Sequence, residues 1–147
     1  MKDFFRTVSD ASCALMTIDQ VYCEFLKYAQ NKQEYKDALE FLLSFVPASV
    51  FPTKEDLYAS NQIYLALKSK DTNLANRVSL EDLLLGAMLL KWRKEMYLAT
   101  INHHDFPNWL YTREYLHGFE DQKGNVHAIG VYSLDIEKYQ NLIAKFV

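Results

Sequence analysis

The sequence predicts an α/β fold: a three-layer α/β/α sandwich with a mainly parallel central sheet, followed by a C-terminal hairpin and helix. Three observations predict it. From residue 14 to 100 helical apolar periods alternate with short apolar runs, the pattern of strands joined by helical crossovers. Leu83, Leu84, Leu85, Ala87, Met88, Leu89 and Leu90 surround one segment on nearly every side, so that helix belongs in the centre. After Phe106-Pro107 the pattern changes, and two alternating runs flank the turn-forming stretch Asp121-Gln122-Lys123-Gly124-Asn125. At 147 residues the chain fits one domain over 1–147, with the hairpin and helix occupying 108–147.

Each element has a local reason. Phe4, Phe5 and Val8 share one face of a short N-terminal helix. Ala14-Leu15-Met16-Thr17-Ile18 suits a buried strand, and Asp19 is placed to cap a helix carrying Val21, Tyr22, Phe25, Leu26 and Ala29. A second helix spans Gln33 to Ser44 on Ala38, Leu39, Leu42 and Leu43. Pro47 and Pro52 confine residues 46–51 to a short strand or loop. Leu57, Ile63, Tyr64 and Leu67 predict a helix over Lys54 to Lys70. Ser79-Leu80-Glu81-Asp82 resembles a capping box and opens the central helix, which leaves through the cationic Lys91-Trp92-Arg93-Lys94. Met96-Tyr97-Leu98-Ala99-Thr100 reads as the clearest buried strand, and the polar loop Asn102-His103-His104-Asp105 follows it. Arg113 to Phe119 and Val126 to Leu134 form the hairpin, and Asp135 caps a last helix with Ile136, Tyr139, Leu142, Ile143 and Phe146 on one stripe.

Composition narrows the functional classes. Half the residues are hydrophobic and 14% aromatic, which excludes a disordered chain. Sixteen basic against 19 acidic residues give a net charge of −3, unlike a basic nucleic-acid coat or membrane-surface segment. That balance is compatible with a nuclease whose metals supply local positive charge. The four glycines are too widely spaced for a nucleotide-binding G-x-G-x-x-G or P-loop. Cys13 and Cys23 have no C-x-x-C spacing, and no apolar run reaches the ~18 residues of a membrane span. The expectation is a cytoplasmic protein outside the membrane.

Candidate chemistry rests on acids. Asp82 lies in the first turn of the most apolar helix, where capping explains it without any further role. Glu24 falls away from the apolar stripe of its helix, as a solvated residue does. Thr100-Ile101-Asn102-His103-His104-Asp105-Phe106 follows a strand, where α/β sheets collect function, yet turn chemistry also explains Asn102 and Asp105. His103, His104 and Asp105 lack the ligand number and spacing usual for zinc. G-x-S-x-G is absent, and Cys23 reads as a small core residue rather than a nucleophile.

Three segments together resemble a PIN domain, the nuclease fold of many VapC-type toxins: residues 16–25, residues 79–87, and Tyr97-Leu98-Ala99-Thr100-Ile101-Asn102-His103-His104-Asp105-Phe106. The likeness covers residues 14–107, and the third segment is the most specific. It implies Mg²⁺ or Mn²⁺ at an acidic site at one end of a parallel sheet, hydrolysing an RNA phosphodiester. Carried over by position, Glu24, Asp82 and Asn102 would ligate the metal, with Thr100 orienting the loop and Asp105 near enough to help. The family also implies an antitoxin protein as partner. Two departures matter. The family opens with a strand ending in Asp well before the Glu, whereas only 23 residues precede Glu24 and none forms such a strand. Asn102 brings no charge where the family has an acid. The chain therefore reads as short by one strand at its front, which leaves a sheet edge or cleft and favours a homo-oligomer. A degenerate, non-catalytic interaction or oligomerisation domain that keeps the fold is the alternative expectation, and an unrelated domain with coincidental acids is the third.

Overall fold

The computed structural model describes residues 2–11, 13–46, 48–121 and 123–146. The chain forms two compact units, residues 1–52 and 53–147.

The first unit holds α1 (Lys2–Asp10), β1 (Met16–Ile18), α2 (Asp19–Lys27), α3 (Lys32–Phe45) and β2 (Ala48–Val50). β1 and β2 pair in parallel, with Met16 opposite Ala48 and Ile18 opposite Val50. Phe4, Ile18 and Leu42 are buried. Asp19 is the first residue inside α2 rather than its cap; Ile18 takes the cap position, with no side-chain bond to the helix. α3 starts one residue before the expected segment because Asn31 caps it, its Oδ1 accepting from Gln33 N–H at 3.0 Å and Glu34 N–H at 2.9 Å. Cys23, expected in the core, is exposed.

The second unit contains α4 (Lys54–Lys70), α5 (Thr72–Arg77), α6 (Leu80–Trp92), β3 (Leu98–Thr100), β4 (Tyr111–Glu120), β5 (Val126–Leu134) and α7 (Ile136–Ile143). A 3-10 turn covers His103–Asp105. The mixed α/β class, the Lys54–Lys70 helix, the Ser79 cap, the hairpin and the Asp135 cap are all observed. The sheet differs from expectation. The three-stranded sheet runs β3-β5-β4 with both pairings antiparallel, so parallel pairing is confined to β1 and β2 among the described residues. A short apolar run specifies extended backbone but not its partner, and the neighbouring hairpin supplies an antiparallel one. β3 is consequently an edge strand. Its Leu98 is buried while Ala99 and Tyr97 are exposed, so it is covered on one face, not two.

The core gathers Ile63, Ala66 and Leu67 of α4 with Leu89, Leu98, Phe106, Tyr111, Tyr132, Leu134, Tyr139 and Leu142. α6 contributes Leu84, Gly86, Ala87, Met88 and Leu89 as buried positions, in keeping with its apolar girth. α4 and α6 run antiparallel and are locked at one end by Asp56, which is 2% exposed. Asp56 Oδ2 accepts from the Thr53 N–H and hydroxyl, both at 2.8 Å, while Lys91 Nζ donates to Oδ1 at 3.1 Å. Burial alone would raise this carboxyl, but the Thr53 hydrogen bonds and the Lys91 ammonium outweigh it and hold it below its usual value. Its contribution is therefore complete above the unfolded carboxylate pKa and is lost as pH falls through the lower folded value. Asp56→Ala should cost about 2 kcal/mol in urea unfolding at pH 7, from the lost cap and orphaned Thr53 donors. The gap between the two proteins should narrow in acid.

Candidate functional site

Four of the five expected site residues lie in the second unit, and local rules place each one. α6 begins at Asp82's turn because Ser79 Oγ accepts the Asp82 N–H at 3.1 Å. The same hydroxyl donates to Asp82 Oδ2 at 2.7 Å, so the carboxylate is held by a side chain rather than by reaching back to the Ser79 backbone. On the facing loop, β3 ends at Thr100, whose Oγ1 accepts from the Asn102 N–H at 3.0 Å. Asn102 in turn donates through its amide to Asp105 Oδ2 in a short hydrogen bond. The 3-10 turn brings Asp105 back beside Asn102, as ordinary turn chemistry does. The structural reading and the functional reading thus share the same bonds.

What capping does not explain is the meeting of Asp82 with Asp105. Desolvation raises the Asp82 carboxyl most, the Ser79 hydrogen bond opposes it, and the charge and hydrogen bonding of Asp105 raise it further, with Glu81 adding a smaller push. A like charge nearby disfavours the ionised form of Asp82, in the same direction as its burial. Beside them lies Tyr111, 1% exposed. Burial first and the Asp82 charge second push its phenol far above the ordinary tyrosine value, so the hydroxyl keeps its proton. A Cβ at Gly86 would come within 2.7 Å of that hydroxyl oxygen, and Gly86 lies one turn along the same helical face as Asp82. Phe106, next to Asp105, meets the Tyr111 ring edge-on at 5.2 Å.

Thr100, Asn102 and Asp105 are thus linked by hydrogen bonds within one loop, and Asp105 acts on Asp82. Glu24 is on α2 in the first unit, and its side chain lies outside the described residues. Among the described residues no group of three or more His, Cys, Asp or Glu side chains gathers to hold a metal. Two carboxylates and an amide oxygen remain as hard donors. That set fits Mg²⁺ or Mn²⁺, for which Mg²⁺ sites commonly use one or two carboxylates and complete their shell with water and substrate phosphate. It does not fit zinc on this loop, because both nitrogens of His103 are already hydrogen-bonded within the protein. No protein-family model, curated protein or solved structure matches the chain. Its described helices include none long and apolar enough to cross a membrane.

The sequence singles out neither Tyr111 nor the contacts of His103 with β5, His103 entering it only as a candidate zinc ligand. The available signal was glycine: Gly86 interrupts the most apolar helix and Gly130 interrupts a strand, both marks of a close approach.

The raised Asp82 carboxyl sets a sign. Because its folded value lies above the unfolded one, the folded state binds more protons between the two, and stability falls as pH rises through that window. Asp82→Asn, which keeps an acceptor for Ser79 and removes the charge, should gain stability relative to wild type on passing from pH 4 to pH 7. Thermal melting of both proteins across that range checks it; an unchanged or reversed difference would contradict the carboxyl pairing.

Proposed function

We propose that the chain is a divalent-metal-dependent phosphodiesterase acting on RNA, of PIN-like descent. The observation that carries the reading is the meeting of Asp82 and Asp105 at the end of β3, with Asn102 between Thr100 and Asp105. A partly buried carboxylate beside a second acid is an arrangement that a divalent cation relieves, since the cation offsets the burial and the neighbouring charge that raise Asp82. In this reading Asp82 and Asp105 present carboxylate oxygens and Asn102 its amide oxygen, while Ser79 and Thr100 hold them in place. Glu24, which the resemblance names as a ligand, lies in the first unit and is not used in this reading. Bound Mg²⁺ or Mn²⁺ would activate water and stabilise charge on the attacked phosphate and the leaving oxygen. The buried Tyr111 hydroxyl keeps its proton near Asp82. A three-layer sandwich, an antitoxin partner, self-association and a cytoplasmic setting belong to the same proposal.

A second reading, a non-catalytic interaction domain, is favoured by one specific observation. β4 is a ten-residue edge strand on which Tyr115 and Leu116 are exposed, and an edge of this kind pairs readily with another chain.

Calorimetric titration with MnCl₂ and an RNA-cleavage assay separate the two. Wild type should bind Mn²⁺ and cleave single-stranded RNA in a chelator-sensitive manner, and Asp82→Asn or Asp105→Asn should lower cleavage at least about a hundredfold. Absence of Mn²⁺ uptake and of chelator-sensitive cleavage in wild type would leave the interaction domain as the better account.

A further inference from the structure

We propose that His103 is a positioning residue: in its Nε2–H form it pins the loop carrying Asn102 and Asp105 onto β5, and so sets where those groups stand. The proposal deepens the reading of Asp82, Asn102 and Asp105 as the site and rests on it.

The register shows why an anchor is needed. β3 pairs with β5 over Leu98–Tyr132 to Thr100–Gly130, and Ala128 lies beyond this paired stretch. The His103 ring takes over there. Its Nε2 is 3.0 Å from the Ala128 carbonyl oxygen and its Nδ1 is 2.7 Å from the Tyr132 hydroxyl. A carbonyl can only accept, so Nε2 must carry the hydrogen. In the neutral ring Nδ1 is then an acceptor, and the Tyr132 hydroxyl donates to it. Tyr132 is 1% exposed, so its hydroxyl has a partner where water is excluded. One tautomer thus satisfies three groups at once.

Gly130 makes the seating possible. A Cβ there would lie 2.9 Å from His103 Nδ1 and Cε1 and 2.5 Å from Tyr132 Cε2. The strand gives up a side chain at the point where the loop's ring rests on it. His103 stands directly after Asn102 and two residues before Asp105, so fixing its ring restricts both neighbours. His104, the next residue, is exposed and serves as the control.

Three measurements on the full chain test this. Long-range ¹H–¹⁵N spectra of the histidines should show His103 as the Nε2–H tautomer. Tyr132→Phe removes the hydroxyl and keeps the buried ring; amide exchange over residues 102–106 should speed up about tenfold while α6 is unchanged. Mn²⁺ affinity should drop about tenfold, as loss of a group orienting a metal ligand does, and His104→Ala should alter neither quantity. Gly130→Ala, which displaces the ring from the strand side, should reproduce both effects. An Nδ1–H tautomer, or loop exchange unaltered in Tyr132→Phe and Gly130→Ala, overturns the anchor. A loosened loop with Mn²⁺ affinity unchanged overturns its positioning role. If wild type takes up no Mn²⁺, the nuclease reading fails, and tautomer and exchange still decide the anchor by themselves.

Discussion

The second unit depends on the burial of α6. A helix with leucine, alanine or methionine on almost every side gains nothing from facing water, and it must be enclosed along its length. α4 covers it from one direction, and the close approach is possible because Gly86 offers no side chain to Ile63 or to Tyr111. The Asp56–Lys91 contact then fixes the end of α6 remote from Ser79. With both helix faces committed, the first turn of α6 has nowhere to go but the margin of the core. Asp82 is carried there with it, into a partly desolvated place where a carboxylate is costly.

That cost has a direction. Capping by Ser79 and the favourable end of the helix dipole stabilise an acid at position 82, but both would operate equally well with Asp82 facing water. The loop after β3 instead brings Asp105 against it. The folded chain thus sets a second acid against a partly buried Asp82, an arrangement that a merely capping residue does not require. Sites that bind cations or tune protons commonly carry local instability of this kind, offset by packing elsewhere.

Much of this was legible in the sequence, and the boundary follows the range of the interaction. Ser79 and Asp135 each announce a helix through bonds spanning three residues, and the Asp121–Asn125 turn marks its hairpin locally as well. Asp82, Thr100, Asn102 and Asp105 were found because their order along the chain resembles a known pattern. Strand pairing was not legible. Residues 98–100 have no local feature that selects β5 in antiparallel over a parallel neighbour, since that choice depends on a hairpin thirty residues away in sequence. Tyr111 and the β5 contacts of His103 were missed for a related reason. Their importance arises from Gly86 and Gly130, partners that only the folded chain brings near.

These two glycine contacts involve the two segments that carry the acids. Tyr111 over Gly86 belongs to the helix that carries Asp82, and His103 over Gly130 belongs to the loop that carries Asp105. Phe106 joins them, with its ring 5.2 Å from Tyr111 and 6.1 Å from Tyr132. Three buried rings thus connect the residue packed over Gly86 with the residue whose hydroxyl meets His103. Side chains packed in this way move together or not at all, because close-packed rings leave no space for independent adjustment. Phe106, directly after Asp105, therefore anchors the loop to the core in addition to the loop's own turn bonds.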